Sequence, residues 1–300
     1  MTKRRKLLKS LMAMPLLAAS APSSFSQARQ HPDTPACSRL KLSLNAYSFN
    51  APLTKGEMDV DDLIDFCANN GFDGVDITAY YFPGYPAIPP DEYIYHIKKK
   101  AFLAGLEISG TGVRNDFTDP DPAKRKAHLD LVKAWIECAA KLGAPVIRIF
   151  AGTQEPAGYT WDQVAKWLVA DVKECVEHGK KYGVVVAIQN HHDFLKTSDQ
   201  VLKIIEMVDS EWFGLILDTG SYRKGDPYAE IMKTIDHAVN WQVKEKIFVD
   251  GVEVETDLPK LAAIIKASCY KGYLPIETLG AGEPKLKVRM LLEKLRRALA

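Results

Sequence analysis

The chain has 300 residues, about half of them apolar, and a formal charge of +1. Five positive charges stand in the first ten residues and no acidic residue precedes Asp33, so the remainder carries about −4. A mildly acidic body argues against binding to nucleic-acid phosphates, which requires a basic surface.

The first 26 residues are predicted to be an export signal. A basic stretch is followed by a short apolar run over 11–19 and then by small residues, and that run is too short to span a membrane permanently. The stretch RRKLLK resembles the twin-arginine signal, which carries folded proteins, and we expect cleavage before Gln27. Residues 27–39 are predicted to be a flexible tether. We therefore expect an exported, periplasmic protein without a stable membrane anchor.

The five cysteines are scattered and form no CxxC pair, which argues against a zinc ribbon or a thioredoxin-like site. The odd number predicts at least one free thiol, and most are expected to be small buried residues on helices. The spacing leaves open whether Cys138 and Cys175 form a disulfide.

From residue 41 onward, short apolar runs alternate with longer amphipathic stretches. In the first half, strands are predicted over 41–49, 72–78, 106–113 and 145–152, and helices over 60–71, 91–105, 121–143 and 160–183. Pro122 stands in the first turn of one helix, and Gly71 and Gly143 suit the left-handed position after a helix.

The second half repeats this order. Strands are predicted over 184–191, 213–220, 237–245 and 272–280, and helices over 198–208, 226–235, 257–268 and 283–299. Eight strand–helix units with strands that are apolar on both faces predict a single α/β domain, a (β/α)8 TIM barrel over 40–300. A doubly wound sheet is the alternative, but no glycine-rich nucleotide loop follows any strand.

Polar residues end the last four predicted strands. In a (β/α)8 barrel the carboxyl ends of the strands form the active site. Gln189, Asp218, Gln242 and Glu277 stand at similar depths there and could converge on one divalent ion. Two carboxylates and two amide oxygens suit Mn²⁺ best, with Mg²⁺, Co²⁺ or Zn²⁺ as alternatives. The structural alternatives are a turn cap for Asp218 and hydrogen-bonded core amides for the two glutamines.

Other strand ends carry residues predicted to bind substrate. They are Asn45, Tyr80, Tyr81, Arg114, Asn115, Arg148 and His192. The arginines could instead form salt bridges at the barrel mouth, and the tyrosine-rich loop could be held by its own aromatic contacts. Because His191 and His192 are adjacent, at most one is expected to face the site if the strand continues.

Four segments carry a family resemblance: VVVAIQNHHDF, FGLILDTGS, VNWQVKEK and GYLPIETLG. They resemble the xylose isomerase-like sugar phosphate isomerase/epimerase superfamily of (β/α)8 metalloenzymes, and the resemblance extends over the whole mature chain. In that family the four segments supply Glu, Asp, usually His, and Glu as metal ligands. Asp218 and Glu277 keep this pattern, whereas Gln189 and Gln242 replace the usual Glu and His. The resemblance thus implies an altered site for one divalent ion.

The resemblance implies a metal-dependent sugar isomerase or epimerase that removes the proton α to a carbonyl and stabilises an enediolate. Glu277, His191 and Lys244 are the candidate bases, and burial near a metal predicts a lowered pKa for Lys244. Leu195 and Ser221 stand where the family places a second Glu and a His, so a two-glutamate mechanism does not carry over.

Two alternatives follow. One is a keto-sugar (3-keto-glycoside) lyase or hydratase that eliminates a β-leaving group after the same deprotonation. The other is a non-catalytic exported barrel that binds sugar. In each case the expected partner is a small-molecule sugar or keto-sugar and not a nucleic acid, and an oligomer is compatible with the sequence.

Overall fold

Eight parallel strands close into a barrel in the computed structural model, which describes residues 39–300. The barrel strands are β1 (Leu40–Asn45), β2 (Gly74–Thr78), β3 (Glu107–Gly112), β4 (Val146–Ile149), β5 (Val185–Gln189), β6 (Phe213–Asp218), β7 (Ala238–Lys244) and β10 (Gly272–Glu277). The other two strands, β8 (Lys246–Val249) and β9 (Val252–Glu255), pair as a separate antiparallel hairpin. The predicted TIM barrel is confirmed, whereas the predicted export signal lies outside the described residues.

Nine α-helices accompany the strands in the described part of the chain. They are α1 (Asn50–Lys55), α2 (Val60–Asn69), α3 (Asp91–Leu103), α4 (Pro122–Leu142), α5 (Trp161–Tyr182), α6 (Ser198–Val208), α7 (Pro227–Thr234), α8 (Leu258–Ala267) and α9 (Pro284–Leu299). Local signals fix their ends. Asp59 and Thr160 form capping boxes at the starts of α2 and α5, and Gly143 and Gly183 end α4 and α5 in the left-handed conformation.

Several strands are shorter than predicted, and this shapes the mouth of the barrel. The first strand ends at Asn45 and not at residue 49, because the Asn45 side chain accepts a hydrogen bond from the Tyr47 amide at 2.9 Å and begins a helical turn. The short helix α1 that follows was not predicted. The last barrel strand ends at Glu277 and not at residue 280. Asn45 and Glu277 are therefore at strand ends, where side chains can face a cavity.

The β8–β9 hairpin was missed by the sequence analysis. Its two-residue turn is Asp250-Gly251, with φ of 47° and 80°. An Asp-Gly pair between alternating apolar and polar residues is a strong hairpin signal, because both turn residues need positive φ. The sequence KIFVDGVEVE therefore contained the information, and the hairpin supplies part of the cavity wall described below.

Three of the cysteines are free, and no helix of the described chain is suited to span a membrane. Cys67, Cys138 and Cys175 are buried free thiols on helices, so the Cys138–Cys175 disulfide that the spacing left open does not form. Cys269 is disulfide-bonded. Within residues 39–300, no helix is long and apolar enough to cross a membrane.

Candidate active site

A cavity of about 940 Å³ lies at the carboxyl ends of the barrel strands. It is lined by the four predicted metal ligands and by the three candidate bases: Gln189, Asp218, Gln242, Glu277, His191 and Lys244, of which Glu277 belongs to both groups. Strand register brings them together, since Asp218 pairs with Gln242 and Lys244 pairs with Glu277 across neighbouring strands. The volume of the cavity is in the range of pockets that enclose small molecules.

The centre of the site is a buried lysine held by two carboxylates. The Lys244 Nζ donates to Glu277 Oε1 at 2.5 Å and lies 3.4 Å from Asp218 Oδ2. All three side chains are at least nine-tenths buried, with exposed fractions of 8, 5 and 3% for Lys244, Glu277 and Asp218. A buried charge is tolerated only when it is paired and hydrogen-bonded, and this cluster meets that condition.

The two glutamines complete the cluster. Gln189 Nε2 donates to Asp218 Oδ2 and to Gln242 Oε1, both at 2.7 Å. Asp218 Oδ1 accepts from the Gly220 amide at 2.9 Å. The Gln189 Oε1 is buried and has no hydrogen-bond partner within the described residues. Because a buried carbonyl oxygen usually has a donor, this atom is available to a hydroxyl group of a bound substrate.

The lysine is the acid of this cluster. Burial disfavours its ammonium, but Asp218 and Glu277 outweigh burial and raise the pKa of Lys244. The lowered pKa predicted from the sequence is wrong, because the prediction counted the loss of water and not the two carboxylates. Burial raises the pKa of Glu277, and the neighbouring Lys244 offsets that effect in part. Glu277 is thus a stronger base than an ordinary carboxylate once it is ionised.

A second pair of buried charges lies beside the first. Arg148, on β4, is 5% exposed and Asp76, on β2, is 7% exposed. Burial raises the pKa of Asp76 to about 7, with Arg148 opposing the shift and Glu277 adding to it. Below that pH, Asp76 is mainly neutral, and the positive charges of Lys244 and Arg148 balance the negative charges of Asp218 and Glu277.

This charge balance bears on the divalent ion that the family resemblance implies. The donor atoms are suitable, because carboxylate and amide oxygens bind hard divalent cations. The charges of the cluster are not suitable for a divalent cation, because the Lys244 ammonium already contacts both carboxylates. A divalent ion on the same carboxylates would leave a buried ammonium unpaired beside a second cation, which is costly. As arranged, these residues do not fit a resident divalent ion, and such an ion stays a prediction of the resemblance.

Both histidines after β5 face the cavity. The strand ends at Gln189, and the chain turns as the His191 amide donates to the Gln189 carbonyl at 2.7 Å. The expectation that only one could face the site assumed that the strand continued, which it does not.

The two histidines form a group with a neighbouring carboxylate. Asp193 Oδ2 lies 2.7 Å from His191 Nδ1, and Asp193 Oδ1 lies 3.4 Å from His192 Nε2. Burial and the neighbouring His191 lower the pKa of His192. These three residues also form a geometric group that could hold a metal ion, which the sequence analysis did not predict.

Six of the seven predicted substrate residues line the cavity: Asn45, Tyr80, Arg114, Asn115, Arg148 and His192. Tyr81 does not, because its hydroxyl donates to Asn50 Oδ1 at 2.8 Å on the far side of the turn. The Arg114 guanidinium lies 4.8 Å from the Tyr80 ring centre, which makes an exposed cation–aromatic pair at the mouth. Within the described chain, Asn115 is already committed, since its amide group makes two hydrogen bonds to the Phe150 backbone, at 2.8 and 2.9 Å.

Arg148 is held in place by a close approach to the neighbouring strand. Its Nη1 donates to the Val113 carbonyl at 2.6 Å, and its guanidinium lies 4.0 Å from the Phe150 ring centre. A Cβ atom at Gly112 would lie 2.8 Å from the Arg148 Nε. Because Gly112 has no side chain, the Arg148 guanidinium has space to lie against β3.

Asn190 is a positioning residue that the sequence analysis missed. It is fully buried, its Nδ2 donates to the Asp218 carbonyl at 3.0 Å, and its Oδ1 accepts from the Asp218 amide at 2.7 Å. The bonds tie the end of β5 to the end of β6 and hold the backbone of Asp218 at that point. Asn115 ties β3 to β4 in the same way, so an Asn one residue after a site residue was the available signal.

Replacing Asn190 by alanine is expected to lower the free energy of unfolding by about 2 kcal/mol, because it leaves the buried Asp218 amide without a partner and leaves the Asp218 carbonyl only the long bond from the Ser221 amide at 3.4 Å. Denaturant unfolding of Asn190→Ala and of Asn69→Ala measures this, since Asn69 is an exposed residue of α2. Equal stability losses in the two variants would contradict the role given to Asn190.

The hairpin adds a charged and aromatic wall to the cavity. Lys246, Phe248 and Glu253 line it, and the Arg223 guanidinium lies 4.6 Å from the Phe248 ring centre. The opposite wall carries Tyr80 and Arg114. Aromatic surface with nearby hydrogen-bonding groups is suited to a ring that has one apolar face and hydroxyl groups at its edge.

The fold and the site together define a (β/α)8 barrel with a buried acid–base cluster at the carboxyl ends of its strands. A family model described as xylose isomerase-like TIM barrel matches residues 64–298. The chain belongs to this family. No curated protein sequence matches the chain.

Solved structures of other proteins share the fold at low sequence identity. A 3-keto-D-glucoside 4-epimerase from E. coli is 16% identical with a TM-score of 0.69, and the match covers 86% of this chain and 100% of that one. A D-psicose 3-epimerase from Clostridium cellulolyticum is 17% identical with a TM-score of 0.69, covering 86% and 99%. An L-ribulose 3-epimerase is 14% identical with a TM-score of 0.71, covering 87% and 94%.

Proposed function

We propose that this protein is a sugar epimerase or isomerase that moves a proton on the carbon next to a carbonyl group. The observation that carries the proposal is the buried Lys244–Glu277 pair, an acid and a base 2.5 Å apart at the wall of the cavity. Structures of similar fold are named as epimerases of keto-sugars and related sugars, which supports the substrate class.

The chemistry follows from the two groups. The Glu277 carboxylate accepts the proton from the carbon α to the substrate carbonyl, and the electrons of that C–H bond move to the carbonyl oxygen. The Lys244 ammonium donates a hydrogen bond to that oxygen and stabilises its developing negative charge. Delivery of a proton to the opposite face by a second group, for which His191 and His192 are the candidates, gives an epimer, and transfer of the Glu277 proton to the neighbouring carbon gives an isomer.

The surrounding residues supply binding and orientation. The free Gln189 Oε1 accepts from a substrate hydroxyl, and Tyr80 offers a ring face at the mouth of the cavity. His191 and His192 stand beside the cluster and are further groups that could carry a proton. We also propose that the enzyme works after export, as the N-terminal segment predicts, on free sugars or keto-sugars.

A deuterium-exchange screen tests the proposal. The purified protein is incubated in D₂O with a panel of keto-sugars that includes 3-keto-glucosides, and NMR follows deuterium at the carbon α to the carbonyl. Exchange with formation of an epimer or isomer is the expected result. Absence of exchange across the panel, with sugar binding detected by calorimetry, would instead favour the non-catalytic barrel.

The same screen addresses the keto-sugar lyase or hydratase, which stays a prediction. Elimination begins with the same removal of the α proton, but the electrons then expel a β-leaving group. An unsaturated sugar and a released alcohol would appear in the NMR spectrum. Their appearance without an epimer would replace the proposed reaction by the elimination.

A further inference from the structure

We infer that the Lys244 ammonium takes the place of a divalent ion in this barrel, so that the site works without a metal. The inference has two parts. The first, that the cluster has a built-in cation, stands on the contacts of the residues alone. The second, that this cation serves proton transfer, rests on the proposed function.

The backbone directs Lys244 to the centre of the site. It follows Gln242 by two residues on β7, so both side chains point to the same face of the strand. Lys244 pairs in register with Glu277 on β10, and Gln242 pairs with Asp218 on β6. The lysine thus lies between the two strands that carry the carboxylates. Its position follows from strand register and not from a flexible surface side chain.

Three of the four carboxylate oxygens that a metal would use accept hydrogen bonds from donors within the described residues. Asp218 Oδ1 accepts from the Gly220 amide at 2.9 Å, and Asp218 Oδ2 accepts from Gln189 Nε2 at 2.7 Å. Glu277 Oε1 accepts from Lys244 at 2.5 Å. The fourth carboxylate oxygen, Glu277 Oε2, and the unpartnered Gln189 Oε1 are left for a cation, and one carboxylate oxygen with one amide oxygen is a poor ligand set for a divalent ion beside a buried ammonium.

The two glutamines make the charges of the site consistent with a Lys244 ammonium in place of a divalent ion. A glutamate at residue 189 would add a negative charge that one ammonium cannot balance, and that extra charge is what a divalent ion would neutralise. Gln189 removes the charge, and its amide donates to both Asp218 and Gln242. The result is a closed network around one fixed positive charge. Such a charge can donate a hydrogen bond to an oxyanion, as a Lewis acid would stabilise it.

Metal binding tests the first part without any assay of turnover. The full protein is dialysed against chelator and titrated with Mn²⁺ by calorimetry and by electron paramagnetic resonance. We expect no saturable binding at the cluster below about 1 mM, which corresponds to a weak interaction. Lys244→Gln is expected to bind Mn²⁺ at least about tenfold more tightly, and Gln189→Glu combined with Lys244→Gln more tightly still.

Three controls make the titration decisive. Lys126→Gln removes one charge from an exposed lysine of α4 that pairs with Asp130, and it should leave Mn²⁺ affinity unchanged. Every titration is repeated with His192→Gln, so that binding by the His191, His192 and Asp193 group is subtracted. Circular dichroism verifies that each variant is folded. If Lys244→Gln does not fold, the wild-type titration decides alone.

The outcomes separate the inference from the proposed function. Tight stoichiometric Mn²⁺ binding by the wild-type cluster, or a folded Lys244→Gln variant without a gain in affinity, overturns the inference. Deuterium exchange that persists after removal of metals by EDTA supports the second part, and exchange that requires Mn²⁺ overturns it while leaving the proposed function intact. Weak wild-type metal binding together with no exchange on any keto-sugar upholds the built-in cation and overturns the proposed function.

Discussion

Replacing Glu277 by glutamine is expected to slow deuterium exchange of the substrate by about 10²- to 10⁴-fold, the usual contribution of a general base. Glutamine has nearly the same shape and can still accept the hydrogen bond from Lys244, but it cannot take a proton from carbon. Lys244 keeps its second partner, Asp218, at 3.4 Å. The loss should therefore appear in kcat, with substrate affinity changed much less.

The matched control for this variant is Glu107→Gln. Glu107 stands at the start of β3, at the amino end of the barrel, and its Oε1 accepts from Lys41 at 2.7 Å, so the substitution removes a similar carboxylate–lysine pair far from the cavity. Exchange rates of the control should equal those of the wild type. If Glu277→Gln retained the wild-type exchange rate while folded, the base would be another residue, and His191 would be the next to test.

The barrel could be predicted from the sequence because its signals are local. Each strand is a short apolar run, and the helix ends carry residues such as Gly143 and Thr160 that cap a helix by their own chemistry. The level of a residue in the barrel could also be predicted from its distance to the end of its strand, and the face to which it points from the alternation of side chains along the strand. The sequence alone therefore placed Gln189 and Gln242 at one level of the barrel, and their side chains do meet at that level.

The contacts inside the site could not be predicted in the same way. Whether Lys244 contacts Glu277 depends on the pairing of β7 with β10, between residues 33 positions apart. Burial of the lysine, taken alone, predicts a lowered pKa for Lys244, which is the wrong direction. Two carboxylates within 3.4 Å reverse that direction, because their attraction for the ammonium exceeds its loss of hydration.

Residues between regular elements were the other source of error. Tyr81 was placed at the site because it follows a strand, but a helical turn directs its hydroxyl to Asn50. The expectation that at most one of His191 and His192 faces the site depended on the strand continuing, and the strand ends at Gln189. In each case the chain turns within two or three residues after the strand. The alternation of side chains along a strand does not predict where a side chain points once the chain has turned.

Asp76 is a buried carboxyl group whose raised pKa makes the stability of the folded protein depend on pH. Burial raises its pKa from 3.8 to about 7, so between these values the folded protein binds a proton that the unfolded chain has released. Its contribution to stability is therefore present at low pH and is lost as the pH rises through about 7. A shift of this size corresponds to about 4 kcal/mol between pH 4 and pH 8.

Replacing Asp76 by asparagine should remove this penalty, because asparagine has the same shape and no charge to bury. We expect the gain in the free energy of unfolding over wild type to be larger at pH 8 than at pH 5 by about 3 kcal/mol. Denaturant unfolding at the two pH values measures it, with Asp130→Asn as the control on the exposed face of α4. A gain that is independent of pH would mean that Asp76 is already ionised in the folded protein at pH 5, with Arg148 as its counter-ion. The neutral charge balance of the site would then have to include a third carboxylate, and the cluster would carry a net negative charge that favours a second cation beside Lys244.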